Sequence, residues 1–277
     1  MTSQIERARQ FRAMNEQGQC LLPNAWDVAS ARIYVREGFS AVATTSGGIA
    51  YSRGLGDAEQ IGRDAMLGVI AQIAASVDVP LSADIEAGYG QAPADVAETV
   101  RGVIAAGAVG INLEDRRYHN PGDALFSVAE QAARIGAARA AAQQADMPIW
   151  INARTDTFLL GQGEDGAARL ALTIERANAY FAAGADMVFV PTLSDVGVIR
   201  ELVGAVTGPI SLMAMPGAPA ASEWFAAGAK RVSLGVCPML AVMGLIRDIA
   251  IEAREQGQWG TMARSFYGFG EAEALFA

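Results

Sequence analysis

Three acidic side chains follow two consecutive apolar runs of the sequence. Asp84 ends the run 80–84, Glu86 stands two residues later, and Glu114 follows the run 109–113. A spacing of two at the end of a strand directs both side chains to one side. Converging carboxylates repel one another unless a cation neutralises them, and hard oxygen ligands suit Mg²⁺ or Mn²⁺. The spacing therefore predicts a metal site of Asp84, Glu86 and Glu114. The alternative is that these carboxylates bond to backbone amides or to arginine.

Two other segments could hold an anionic substrate. Arg154 follows the run 149–153, and its guanidinium could grip a carboxylate through two parallel hydrogen bonds, or pair instead with Asp156 or Glu114. The turn Ser46-Gly47-Gly48 offers backbone amides without bulky side chains, although glycines after a strand are commonly only a turn. The predicted substrate-binding set is Ser46, Gly47, Gly48, Asp84 and Arg154.

Short runs rich in Val and Ile alternate with Ala-rich helical stretches and would position these residues. The predicted strands are 20–23, 41–45, 80–84, 109–113, 149–153, 187–190, 210–214 and 231–234. Glycine at four helix-to-strand junctions, and proline at two others, is typical of αβ connections. Eight such units predict a closed (β/α)8 TIM-type barrel, with a doubly wound open sheet as the alternative. In such barrels the catalytic groups lie at the C-terminal ends of strands, where the candidates fall.

The domain organisation is expected to be simple. No Pro- or Ser-rich linker divides the 277 residues, so we expect one domain, with a barrel over about 18–250 and a C-terminal tail over about 251–277. The tail carries Phe266, Tyr267, Phe269 and Phe276. So many aromatic side chains are expected to pack on the barrel or on another subunit.

Composition excludes several classes of protein. The net charge of −9 and the scattered basic residues argue against nucleic acid as a partner. Two cysteines imply no disulfide framework, so the reducing cytoplasm is the expected location. The N-terminus has no apolar signal core, and the longest apolar stretch, 232–246, is too short for a bilayer. We therefore expect no membrane partner.

The region 22–156 resembles the isocitrate lyase/phosphoenolpyruvate mutase superfamily. The most specific phrase is Asp84-Ile85-Glu86-Ala87-Gly88-Tyr89-Gly90, in which two acidic residues precede a Gly-Tyr-Gly turn. The other matching segments are Pro23-Asn24-Ala25-Trp26-Asp27, Ser46-Gly47-Gly48, Asn112-Leu113-Glu114-Asp115 and Ala153-Arg154-Thr155-Asp156. The direct resemblance covers about half of the chain, and the remainder fits the spacing of a barrel.

This resemblance implies the roles of several residues. Family members hold Mg²⁺ through the residues that match Asp84, Glu86 and Glu114, partly through water. The residues that match the Ser46-Gly47-Gly48 turn hold a 2-oxo acid, and the one that matches Arg154 contacts its anionic end. Asp57 matches an aspartate near the reacting centre. The family typically exchanges its last helix between subunits, which implies a homodimer or homotetramer.

The resemblance fails in the loop after the fourth predicted strand. Lyases of the family carry a Lys-Arg/Lys-Cys-Gly-His loop there, with the cysteine as the acid, and phosphonate-processing members carry a Lys-Thr-Asn-Ser-type loop. Residues 116–123 here read Arg-Arg-Tyr-His-Asn-Pro-Gly-Asp and match neither. His119, the only histidine, could replace the cysteine as proton donor, or have no role. Tyr89 and Tyr118 are the alternative donors.

These features together favour a Mg²⁺-dependent lyase. We expect it to cleave a C–C bond of a small 2-oxo or 2-hydroxy (di)carboxylic acid through a metal-stabilised enolate. Asp57, Arg154 and His119 are the predicted catalytic residues. The family's further carboxylate-binding Glu and Asn are missing after the sixth and seventh strands, which implies a smaller or apolar-branched substrate. The alternatives are a hydrolase of a 2-oxo acid or phosphonate (C–C or C–P) on the same site, and an inactive binder of 2-oxo acids.

Overall fold

The computed structural model describes residues 2–118 and 124–277. The strands are β1 Cys20–Leu22, β2 Asn24–Ala25, β3 Val42–Thr44, β4 Leu81–Asp84, β5 Gly110–Glu114, β6 Trp150–Arg154, β7 Met187–Phe189, β8 Ile210–Met213 and β9 Arg231–Ser233. The helices are α1 Gln4–Gln17, α2 Val28–Arg36, α3 Ser46–Ser52, α4 Arg63–Ser76, α5 Pro93–Ala105, α6 Val128–Gln144, α7 Gly166–Ala182, α8 Val196–Ala205, α9 Ala221–Ala226, α10 Cys237–Gln256, α11 Gly260–Ala263 and α12 Phe269–Phe276.

The strands form a nearly closed parallel barrel. The order is β1-β9-β8-β7-β6-β5-β4-β3-β2, and each neighbouring pair is parallel. The two outer strands, β1 and β2, are consecutive in the chain across Pro23, so they act as two halves of one strand. Proline has no N–H to donate to a ladder, which explains why the predicted first strand is split. The (β/α)8 barrel is confirmed, and the open sheet is excluded.

The helix-to-strand junctions have the conformation that the sequence predicts. Gly107 and Gly184 end α5 and α7 with φ of 93° and 107°, a left-handed conformation that glycine adopts without strain. Each turn directs the chain into the next buried strand, β5 or β7. These short connections fix where each strand begins, and therefore where its carboxyl end meets the site.

Helix α1 lies across the N-terminal end of the barrel. Its Phe11 is fully buried and enters the barrel beside Gly110, where a methyl group would lie 2.8 Å from the Phe11 ring. The N-terminal end is therefore closed by α1, while the opposite end carries the candidate site.

The C-terminal segment packs only partly on the barrel. The Arg32 guanidinium of α2 bonds the Leu275 carbonyl at 2.9 Å and lies over the Phe276 ring. In contrast, Phe269 is 82% exposed, and α10 buries none of its 20 residues. No helix in the described ranges is both long and apolar enough to cross a membrane.

Candidate active site

Asp84 ends β4 and is the central carboxylate of the site. One oxygen, Oδ2, accepts a hydrogen bond of 2.9 Å from the Ser46 amide, and the Asp84 amide donates to the Thr44 hydroxyl at 2.8 Å. The other oxygen, Oδ1, is buried and has no hydrogen-bond partner among the described residues. Burial raises the pKa of Asp84, and the Asp57 charge raises it further, whereas Arg154 opposes both. An unpaired buried carboxylate oxygen is suited to a cation or a proton.

Glu86 reaches the site from a turn. β4 ends at Asp84, and Glu86 has a φ of 51°. The two residues are therefore not on one strand, and the prediction that strand geometry directs both side chains to one side was wrong. Its carboxylate accepts from the Glu59 amide at 2.5 Å and from the Tyr89 hydroxyl at 2.9 Å. Burial, with the charges of Asp57 and Asp84, nevertheless raises the pKa of Glu86 to about 7. Since Asp84 and Asp57 influence Glu86 electrostatically, the three carboxylates lie near one another.

Glu114 and Arg154 lie side by side at the ends of β5 and β6. Arg154 Nη1 is 2.7 Å from Glu114 Oε2, and the Tyr118 hydroxyl bonds the other oxygen, Oε1. Burial raises the pKa of Glu114. Arg154 also grips Asp156 with two hydrogen bonds, of 2.6 Å from Nε and 3.0 Å from Nη2. Both ion pairs that the sequence allowed are therefore present, and they use three of the five guanidinium N–H groups.

The acidic cluster suits a divalent metal only in part. In the described part of the chain, no group of three or more His, Cys, Asp and Glu side chains is arranged to hold a metal ion. Glu86 and Glu114 are both hydrogen-bonded to neighbours, so Asp84 Oδ1 is the carboxylate oxygen left for direct coordination. Mg²⁺ retains several waters and often uses only one or two carboxylates. The donor set therefore fits Mg²⁺ or Mn²⁺ with Asp84 at its centre, and the three-residue site stays a prediction.

The turn Ser46-Gly47-Gly48 forms the first turn of α3. The Ser46 amide is occupied by Asp84, and the Gly48 amide donates to the Thr45 hydroxyl at 3.4 Å. The Gly47 amide, in a helical first turn, has no acceptor within the helix. A methyl group on Gly47 would lie 3.2 Å from Asp57 Oδ2, so the exposed Asp57 faces this glycine. The structure thus brings the predicted turn, Asp57 and Asp84 together, with one of the three amides available to a substrate.

A buried network behind Arg154 was not predicted from the sequence. Asp115 accepts from the Asp156 amide at 3.0 Å, from Arg176 Nη1 at 3.0 Å and from the Tyr180 hydroxyl at 2.7 Å. Its own amide donates to the Arg154 carbonyl at 3.1 Å. Asp115 therefore fixes the backbone on both sides of the Arg154–Asp156 pair. Arg176 and Tyr180 lie four residues apart on α7, a spacing that places them on one helix face but does not name their partner.

Arg134 on α6 holds the turn that carries Glu86. Its Nη1 donates to the carbonyls of Gly90 and Gln91 at 2.8 and 2.7 Å, and its Nη2 bonds the Ala87 carbonyl. The guanidinium also lies 4.0 Å from the centre of the Phe126 ring. One buried arginine thus connects the loop after β4 with the end of the loop after β5.

The proposed proton donors differ in what the structure describes. His119 lies outside the described residues. Tyr118 bonds Glu114, and Tyr89 bonds Glu86, so both alternative donors touch the acidic cluster. Burial raises the pKa of each phenol, and the adjacent glutamate adds to the shift.

Comparison with known sequences finds enzymes among the relatives of this chain. The sequence profile of phosphoenolpyruvate phosphomutase matches residues 11–254. An uncharacterised protein of Mycobacterium tuberculosis is 37% identical over 232 residues, which is 83% of each chain. The 2-methylisocitrate lyase of Escherichia coli K12 is 36% identical over 181 residues, covering 63% of this chain and 58% of the lyase.

Several solved structures are similar to almost the whole chain. A Burkholderia cenocepacia J2315 protein has a TM-score of 0.91 and 36% identity, covering 99% of this chain and 96% of its own. Oxaloacetate acetylhydrolase, in complex with 3,3-difluorooxalacetate, has a TM-score of 0.86 and 25% identity over 99% of this chain and 94% of its own. A phosphonopyruvate hydrolase complex with oxalate and Mg²⁺, at 24% identity and a TM-score of 0.84, covers 98% of this chain and 94% of its own and shares the fold. The chain belongs to the phosphoenolpyruvate phosphomutase family, within the isocitrate lyase/phosphoenolpyruvate mutase superfamily.

Proposed function

We propose that this protein is a divalent-metal-dependent lyase that cleaves a C–C bond of a small 2-oxo or 2-hydroxy (di)carboxylic acid. The supporting observation is the buried Asp84 Oδ1, which has no hydrogen-bond partner among the described residues and lies in a cluster of carboxylates at the C-terminal end of the barrel. Its enzyme relatives add to this support, since 2-methylisocitrate lyase shares 36% identity with the chain.

The residues of this chain would bind and orient the acid. Arg154 keeps two N–H groups beyond those bonded to Glu114 and Asp156, and these would contact the substrate carboxylate. The Gly47 amide would donate to a second oxygen. Asp84, with Glu86 and Glu114 through water, would hold Mg²⁺ or Mn²⁺, which supplies Lewis-acid stabilisation of the negative charge that develops on C–C cleavage.

C–C cleavage leaves a pair of electrons on the carbon of one product, and this carbon must take up a proton. His119 remains the proposed donor, with Tyr118 as the alternative, because its hydroxyl already lies at the acidic cluster. Asp57 faces Gly47 from the exposed rim and is proposed to act beside the reacting carbon.

A hydrolase on the same site is the second candidate. It is supported by the structural similarity to oxaloacetate acetylhydrolase over 99% of this chain at 25% identity. In such an enzyme, water would attack the acyl carbon once the same acid is bound. Solvent oxygen distinguishes the two reactions, because hydrolysis incorporates an oxygen atom of water into a product carboxylate, whereas lyase cleavage of the C–C bond does not.

A proton NMR time course tests the proposal. The purified protein is mixed with Mg²⁺ or EDTA and with oxaloacetate, 2,3-dimethylmalate, 2-methylisocitrate or phosphonopyruvate. We expect metal-dependent turnover of at least one acid, its loss in Asp84→Asn, and its retention in Asp78→Asn, which changes an exposed aspartate before β4. Metal-independent turnover would refute the metal role. Ligand-induced thermal stabilisation without any turnover would favour an inactive binder.

A further inference from the structure

A cavity lies at the end of the barrel opposite the candidate active site. It has a volume of about 450 Å³ and lies between α1 and the N-terminal ends of β6, β8 and β9. Arg12, Trp150 and Lys230 are among its lining residues. This volume is in the range of small-molecule sites, and none of the proposed catalytic residues lines it.

The sequence supplies an independent reason to single out this cavity. Lys230 is the only lysine of the 277 residues, and the rest of the 21 Lys and Arg residues are arginines. Its side chain is exposed and folds over the backbone of Gly18, where a methyl group would lie 2.7 Å from the Lys230 Cδ atom. Within the described ranges, no carboxylate lies within ion-pairing distance of Lys230.

Two buried donors next to the cavity also have no acceptor. Trp150 is 2% exposed, and its indole N–H has no hydrogen-bond partner in the described part of the chain. Arg231 is 1% exposed; its Nε donates to Asn15 at 2.7 Å, but its Nη2 has no partner there. Asn15 and Trp150 both line the cavity, so the Arg231 charge lies one side chain behind its wall.

The acidic residues at the cavity are already engaged. Asp186 accepts from Arg12 at 3.0 Å, from the Ile151 amide at 2.8 Å and from Arg139. Glu16 is 3.5 Å from Arg12. What remains is a surplus of donors and positive charge, carried by Lys230, Arg231 and the Trp150 indole. Water could satisfy a donor, but it would not neutralise a buried guanidinium, whose unpaired charge is costly.

We propose that this cavity is a binding site for a small dianionic acid, with carboxylate or phosphate oxygens held by Lys230 and the Trp150 indole and attracted by the Arg231 charge behind the wall. The site is distinct from the candidate active site and does not depend on the proposed reaction. A dicarboxylate and a phosphate present the same acceptor chemistry, so the experiment separates them.

The single lysine makes a protection experiment specific. An amine-selective reagent labels only Lys230 and the α-amino terminus, and peptide mass spectrometry separates the two. Labelling is followed with malonate, with phosphate, or with chloride at equal ionic strength. If a dianion occupies the site at ten times its Kd, the Lys230 labelling rate falls about elevenfold, because the free fraction is 1/(1 + [L]/Kd). The rate at the terminus serves as the internal reference.

Matched tryptophan variants locate the ligand. Trp150→Phe removes the indole donor from the cavity wall and should weaken the protection of Lys230, whereas Trp259→Phe, at a side chain that is 62% exposed, should leave it unchanged. Arg231 is not the variant of choice, because removing a buried arginine risks unfolding. Protection by malonate alone or by phosphate alone would identify the class of ligand. Equal labelling in both dianions and in chloride, or protection that survives Trp150→Phe unaltered, would overturn the proposal.

Discussion

Glu86 should make the metal-free protein less stable as the pH rises. Its pKa is about 7 in the folded protein against a reference value of 4.5. The native state therefore holds a proton that the unfolded chain has released between these values, so stability falls as the pH rises through this window. The shift of about 2.5 units corresponds to a loss of about 3 kcal/mol between pH 4.5 and 7. Physically, burial and the charges of Asp57 and Asp84 disfavour the ionised carboxylate.

The assay is urea denaturation in EDTA at pH 5 and pH 8. Glu86→Gln cannot ionise, so its free energy of unfolding should change less between the two pH values than that of the unmodified protein, by about 3 kcal/mol at most. Asp84 and Glu114 titrate in the same direction and remain in the variant, so the difference isolates Glu86. Glu201→Gln, at an exposed carboxylate on α8, serves as the control. Equal pH dependence in the Glu86 variant and the unmodified protein would mean that Glu86 does not have the raised pKa.

Three other perturbations test the surroundings of the site and the assembly. Tyr180→Phe removes a 2.7 Å hydrogen bond to buried Asp115 and should cost about 2 kcal/mol of unfolding free energy; a loss below about 0.5 kcal/mol would contradict the role of the network. Gly48→Ala places a methyl group 2.6 Å from the Thr45 side chain and should destabilise, whereas Gly136→Ala in α6 has room and should stabilise by up to about 1 kcal/mol. A homodimer or homotetramer is expected through α10; light scattering should show a smaller species for Ile246→Glu, at a side chain that is 59% exposed, and a monomer before mutation would refute it.

The sequence predicted the positions of the site residues better than their contacts. The residues at the ends of β4, β5 and β6 were placed correctly because hydrophobic runs and junction glycines mark where strands begin and end. These signals are local. The turn at Glu86, with its positive φ, could not be predicted, because it depends on bonds to Glu59 and Tyr89 that only the fold brings together.

The sequence also did not predict the ion-pair partners of buried charged residues that are distant in the chain. Arg154 could be paired in advance with Glu114 or Asp156 because they are near in sequence or on the next strand. Arg176, by contrast, meets Asp115 across 61 positions, and nothing in its own helix distinguishes it from a surface arginine. The sequence shows that Lys230 is the only lysine. It does not show the cavity beside Lys230, because that cavity forms only where α1 packs across the end of the barrel.

The negative charge around Asp84 should make metal binding depend on pH. Arg154 is shared by Glu114 and Asp156, and in the described residues no arginine or lysine forms an ion pair with Asp57, Asp84 or Glu86. The excess negative charge can be neutralised by protons or by a cation, and these compete for the same oxygens. Apparent Mg²⁺ affinity, measured by calorimetry, should therefore rise between pH 5.5 and pH 8, across the pKa of about 7 at which Glu86 loses its proton. Affinity that is equal at pH 5.5 and pH 8 would mean that the metal does not use this cluster.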